Sequence, residues 1–262
     1  MSAGVLAILF LLTAALYASV GFGGGSTYTA LLAAADTDYR VLPLVSLSCN
    51  IAVVSGGVWR FAKAGALPWA KALPLCAASV PLAWLGGSLA VPETLFLLLL
   101  GVSLLAAGCL MLTPVPRKPA SLSAAALPRP SAYRVSEPVM GGGLGLLSGM
   151  VGIGGGIFLA PLLYLTRWDE ARRIAGTASL FILVNSAAGM AGQFSKLAGT
   201  GALGEAASFW PLLLAVLIGG QAGALLGSVR FSQELLRRLT AVLILVVACR
   251  LLLRALVQME LF

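Results

Sequence analysis

Histidine is absent from this chain of 262 residues. Its absence excludes a Ser–His–Asp triad, His-ligated zinc or haem, and a histidine pH switch. Charge is also scarce, at 10% of residues, where an ordinary soluble domain carries about 25%. Too little polar surface remains to cover a soluble globule, and disorder needs the opposite composition. The rarer sign is negative, with 9 Asp and Glu against 17 Lys and Arg. No carboxylate falls in the middle of an apolar run, so a carboxylate relay of the kind used by proton pumps is missing. The cysteines, Cys49, Cys76, Cys109 and Cys249, lie inside apolar runs and form no CxxC. They read as small buried hydrophobes, not as metal ligands or disulfide partners. Without a histidine or a midspan carboxylate, a nucleophile–base pair or metal centre cannot be assembled, and the chain reads as a non-enzyme without a cofactor. The opening run MSAGVLAILFLLTAALYASV has no basic n-region and reads as part of the mature protein, not as a signal peptide.

What is present is hydrophobic: 60% of residues, with a mean hydropathy of +1.00. The apolar runs cover 3–20, 26–35, 41–62, 67–91, 94–113, 137–151, 157–166, 172–197, 207–229 and 235–257. A span needs about 20 apolar residues, and the composition is that of an all-α polytopic membrane protein. One long polar stretch, 113–134, carries prolines that argue against a continuous helix. It divides the chain into a first membrane repeat (1–113), a linker (114–136) and a second membrane repeat (137–262).

The halves resemble each other. VGFGGGSTYTALL (20–32) aligns with VGIGGGIFLAPLL (151–163), and SLSCNIAVVSGG (46–57) with SLFILVNSAAGMAG (179–192), setting Asn50 opposite Asn185. GGSLAVPETL (86–95) resembles LGSVRFSQEL (226–235). Three landmarks in one order indicate a duplication.

Basic residues choose between two topologies. If each glycine-broken segment crosses the membrane, the bases divide poorly between the two sides. If each dips in and returns, every half has three crossings and the second half is inverted. One side then collects Arg60, Lys63, Lys71, Arg117, Lys118, Arg129, Arg134, Arg167, Arg172, Arg173, Arg230, Arg237 and Arg238. The other keeps Arg40, Lys196, Arg250 and Arg254, the last two by snorkelling. The positive-inside rule makes the basic side and the linker cytoplasmic, in the inner membrane, with both termini outside. Bases scattered over loops do not form a nucleic-acid surface, so the net charge of +8 points to membrane lipid as the partner.

Backbone freed by a helix break cannot face lipid and must be packed in protein or line a cavity. Gly23, Gly24 and Gly25 therefore read as one buried elbow, and Gly154, Gly155 and Gly156 as another. Half-helices beginning near Ser26 and Ile157 would turn their N-termini inward as anion-binding ends. The same glycines would also serve close helix packing, as Ala83/Gly87 and the Gly219/Gly223/Gly227 series do. That series leaves a homodimer open as well as packing within one chain. Asn50 and Asn185 are amides deep in apolar spans, either helix–helix bonds or donors beside an elbow. Gln193 and Gln221 are further amide candidates. Ser26, Ser46, Ser48, Thr177 and Ser179 could supply hydroxyls. Phe22, Trp59 and Trp84 could line an aromatic-accepting cavity or face lipid.

GFGGGS and VGIGGGIFLAP, each followed by an intramembrane Asn, resemble the paired glycine signatures of the TauE/SafE family, also called the 4-toluene sulfonate uptake permease family. The likeness spans nearly the whole chain. The second motif, with Pro161 five residues after its triplet, is the more specific; the first half has no matching Pro at Ser26–Ala30. The resemblance implies transport of a small sulfur-containing anion, sulfite or an organosulfonate. The expected site lies between the elbows, with Asn50 and Asn185 as amide donors and Gln193 nearby, and paired inverted repeats are a design of secondary transporters. An anion channel and a non-transporting membrane assembly factor are the alternative functions.

Overall fold

The computed structural model of the chain describes residues 2–20, 23–112, 132–166, 168–226 and 233–260. Every regular element among them is a helix, as expected where backbone donors must be satisfied within their own segment. The first half holds α1 (Ala3–Val20), α2 (Gly25–Ala34), α3 (Leu42–Lys63), α4 (Trp69–Ser88) and α5 (Glu93–Leu112). The second holds α6 (Ala132–Val151), α7 (Gly156–Leu165), α8 (Ala171–Leu197), α9 (Ala202–Ser208), α10 (Trp210–Leu226) and α11 (Gln233–Glu260).

Two boundaries differ from the sequence reading. The run 207–229 is not one rod, because α9 and α10 bend by 44° about their junction. Helix α6 starts at Ala132, inside the stretch expected as linker, since apolar length bounds a span but not the helix that carries it; residues 114–131 lie outside the described residues. Among the described residues, four helices are long and apolar enough to cross a membrane alone: α3, α5, α8 and Ala241–Met259 of α11. The bent α9–α10 pair makes a fifth if counted as one span. Helix α4 is not among them. It carries Lys71, Pro74, Pro81, Ser79, Gly86 and Gly87, which lower its hydropathy, and it packs one face on α6 and α8.

The main contacts join one half to the other: α1 with α10, α4 with α6, α4 with α8, α3 with α8, and α5 with α11. Glycine sets their closeness and register. A methyl at Gly141, Gly145 or Gly149 of α6 would overlap the α4 backbone at Leu75, Ser79 and Ala83 in turn, so α4 and α6 run parallel. Gly219 and Gly223 of α10 meet the Leu11 and Ala15 carbonyls in the same way, so α1 and α10 run parallel. This part of the 219–227 series thus seats a helix of the same chain; Gly227 lies outside the described residues. Helices α3 and α8 run antiparallel, with Gly176 beside Phe61 and Gly189 beside Leu47. So do α5 and α11, with Gly101 against Leu252 and Gly108 against Leu245.

Each end of the bundle has an ionic contact between halves. At one end Arg250 of α11 donates to both carboxylate oxygens of Asp36 (2.9 and 3.0 Å) and to the Ala34 carbonyl that ends α2 (3.1 Å). Arg254 donates to Glu93 at 3.0 Å. These two arginines, expected to snorkel, are paired with acids of the other half. At the opposite end Lys71 of α4 donates to Asp169 at 2.6 Å, with Arg173 at 3.9 Å. The Lys71 ammonium also stands 5.5 Å from the centre of the Trp168 ring. Burial alone would raise the Asp169 pKa. The Lys71 hydrogen bond, the Glu170 backbone N–H and the nearby Lys71 and Arg173 charges outweigh it and hold the carboxyl below its ordinary value.

Candidate functional site: two facing helix elbows

Both half-helices start on a glycine in the left-handed region. Gly24, the residue before α2, has φ +91°, and Gly155, before α7, has φ +77°. Only glycine adopts this conformation without strain, which is why glycine stands at these two positions. Neither start has a side-chain cap. The first-turn N–H groups, from Gly25 and Ser26 in one elbow and Gly156 and Ile157 in the other, have no carbonyl within their own helix. Partial positive charge collects at both ends. Gly23 through Ser26 and Gly154 through Gly156 are all buried, and Ile157 is half-buried.

One side chain joins the elbows. Asn50 of α3 is completely buried, and its Nδ2 donates to the Ile153 carbonyl of the second elbow at 3.2 Å. A methyl at Gly23 would stand 2.5 Å from Asn50 Oδ1, and one at Gly154 would stand 2.7 Å from Nδ2. A methyl at Gly25 would overlap both the amide and the Ile153 carbonyl. The glycines are bare where Asn50 inserts, so packing and polar chemistry coincide here. The Gly25 carbonyl, beside this amide, takes the Thr29 and Ser46 hydroxyls at 2.8 and 2.9 Å. Ser186 contributes an Oγ that a Gly154 methyl would meet at 3.1 Å. Asn50 Oδ1 and Ser186 Oγ are buried without a hydrogen-bond partner.

The family described as sulfite exporter TauE/SafE matches residues 6–251. The chain belongs to the TauE/SafE family. It is similar to the probable membrane transporter protein y4hK of Sinorhizobium fredii (strain NBRC 101917 / NGR234), 33% identical over 247 residues, which is 94% of this chain and 97% of that protein. No solved structure matches. Family and apolar helices together make this TauE/SafE chain a multi-pass membrane protein of a transporter family, with a small-molecule substrate and a lipid environment.

The other residues expected at the TauE/SafE site are more dispersed. Asn185 is buried, but its amide donates to the Phe181 carbonyl one turn back on α8, at 2.9 Å. The residue that meets Gly156 is Ile182, which a methyl at Gly23 or Gly154 would also touch. The second elbow therefore has an aliphatic side chain where the first has an amide. Gln193 is buried and donates to the Gly149 carbonyl at 3.0 Å, tying α8 to α6. Gln221 is exposed. Ser48 and Ser179 bond backbone carbonyls of their own helices. Trp59 and Trp84 are 63% and 48% exposed and sit on the outer surface, which favours the lipid-facing reading over a cavity lining. Phe22 lies outside the described residues. Sequence reasoning missed Ile153, Ile182 and Ser186. The signal available for the last two was their i, i+4 spacing, which puts them on one face of α8.

Proposed function

We propose that this TauE/SafE protein is a secondary transporter that moves a sulfur-containing anion, an organosulfonate or sulfite, across the cytoplasmic membrane by alternating access. The observation that carries it is the convergence of two half-helix N-termini on one buried, uncharged polar cluster around Asn50. Buried N–H ends attract an anion without a fixed positive charge that would hold it permanently. A sulfonate brings three acceptor oxygens to such donors. The bound groups would be the N–H ends at Gly23–Ser26 and Gly154–Ile157 and the Asn50 amide, with Asn185 and Gln193 in the surrounding wall. Catalytic chemistry has no part in this reading.

The same proposal takes the halves as inverted repeats, with α1–α2 and α6–α7 as re-entrant pairs. The helix registers support it. Helices α3 and α8, equivalent by sequence, run antiparallel, as do α5 and α11. Helix α1 pairs with α10 as α6 pairs with α4, both parallel. Exchanging the halves reproduces the set of contacts, which is the geometry expected for motion of one repeat against the other. The cytoplasmic face is then the end bearing Lys71 and Arg173.

The test is thermal stabilisation of the purified protein by sulfite, sulfate, sulfoacetate, taurine, an aryl sulfonate and matched carboxylates. A ligand at a hundred times its Kd adds about 2.7 kcal/mol to the folded state. A sulfonate or sulfite should raise the melting temperature, and Asn50→Ala should reduce the rise. Folded protein stabilised by none of these anions overturns the reading. Saturable uptake of the stabilising anion into proteoliposomes distinguishes a carrier from a channel.

A further inference from the structure

The Asn50 amide has a fixed orientation. A backbone carbonyl can only accept a hydrogen bond, so the atom facing the Ile153 carbonyl must be the NH2 group. Turning the amide over would set two oxygens against each other. Oδ1 is therefore committed to the first elbow, beside Gly23, where it is buried and meets no donor. An unpartnered buried acceptor is costly, and here it stands next to N–H ends that call for an anion.

A ligand bearing acceptors alone would satisfy the N–H ends and oppose its lone pairs to Oδ1. A dianion would do so more strongly. A singly charged anion that also carries an O–H or N–H meets both demands. We infer that Asn50 Oδ1 is a specificity-determining acceptor, and that the substrate class is a monoanion with its own hydrogen-bond donor: hydrogen sulfite, or a sulfonate bearing a hydroxyl group. The inference rests on the anion-transport reading above and narrows its substrate.

The experiment compares 2-hydroxyethanesulfonate with ethanesulfonate on the purified full-length protein by calorimetric titration, with hydrogen sulfite and sulfate as further probes. The pair differs by one hydroxyl and shares the sulfonate head. Wild type should bind the hydroxylated anion about tenfold more tightly or better, and sulfate more weakly than hydrogen sulfite. Asn50→Ala should bring the two sulfonate affinities together. Gly23→Ala provides a second route, because its methyl would stand 2.5 Å from Oδ1 and must cover or displace that acceptor while the Asn50 side chain is kept. Melting curves of both variants report whether they fold. Equal affinities in wild type, or tighter binding of ethanesulfonate, overturn the inference and leave the anion reading standing. A preference that survives in Gly23→Ala and Asn50→Ala overturns the assignment to Oδ1. Binding of none of the four anions overturns both.

Discussion

Asn50 works through its two ends, one bonded to the opposite elbow and one unbonded, and several other buried groups share the second condition. Tyr28 on α2 is fully buried, stacks on Phe10 with ring centres 4.8 Å apart, and leaves its hydroxyl without a partner. Removing that oxygen deletes a desolvated polar atom and keeps the ring. Tyr28→Phe should leave stability unchanged or raise it by up to about 1 kcal/mol, read from melting temperature in detergent. A clear loss would reveal a partner that the hydroxyl gains in another state of the protein. How far such residues were legible depended on helical phase. An amide inside an apolar run is visible in any sequence, so Asn50 and Asn185 both stood out. Which one meets an elbow was not visible, because one residue of misregister turns a helix position by about 100°. Asn185 is next to Ser186, which faces Gly154, yet it turns back to its own helix. The polarity of the Asn50 amide was equally hidden, since it is decided by a carbonyl 103 residues away in the chain.

Between elements, glycine is the spacer. A methyl at Gly149 would overlap the Ala83 carbonyl of α4, whereas one at Gly143, on the same helix, meets nothing within 4 Å. Gly149→Ala must push α4 and α6 apart and should cost about 1–3 kcal/mol. Gly143→Ala should be neutral or mildly stabilising, because alanine is the better helix former. Equal melting temperatures for the two variants would show that the α4–α6 seam is not as close as described. The corner between α7 and α8 has its own test. Asp169 has a depressed pKa in the folded state, so its contacts with Lys71 and Arg173 stabilise above the unfolded value, about 3.9. That contribution is lost as pH falls through the lower folded value. Asp169→Asn should therefore melt below wild type at pH 7, and the gap should begin to narrow below about pH 4 and close only once the pH is under the depressed folded-state pKa. A gap that does not narrow at all as the pH falls below about 4 would assign the effect to packing. Helices were legible here because lipid demands long apolar runs, and α5 and α8 begin and end within one residue of theirs. The α9–α10 bend was not read, because it falls at the edge of the run 207–229: α9, with Glu205 and small residues, lies mostly before that run.

For the whole molecule the decisive quantity is the direction of each helix. Sequence supplied it indirectly, through the sorting of basic residues, and the helix registers supply it through contact. The two arguments are independent: one counts charges in loops, the other reads which glycine meets which carbonyl inside the bundle. They agree that Lys63, Lys71 and Arg173 share one end, while Arg40, Lys196, Arg250 and Arg254 share the other. The charge argument needs Arg250 and Arg254 to snorkel to their interface, and their hydrogen bonds to Asp36 and Glu93 show that both guanidinium groups reach that end of the bundle. If α1–α2 and α6–α7 return to the side they entered, Ala64 and Thr200 lie on opposite sides of the membrane. If the broken segments cross instead, one crossing is added before each of these positions and a second between them, and the two fall on the same side. Both residues are exposed. In a background without the native cysteines, a membrane-impermeant maleimide added to intact cells should label Thr200→Cys and Ser2→Cys and leave Ala64→Cys unlabelled until the cells are opened. Labelling of Ala64→Cys and Thr200→Cys from one side would make the glycine breaks kinks in crossing helices. The two half-helix N-termini would then belong to parallel repeats, and the exchange of halves proposed for transport would lose its basis.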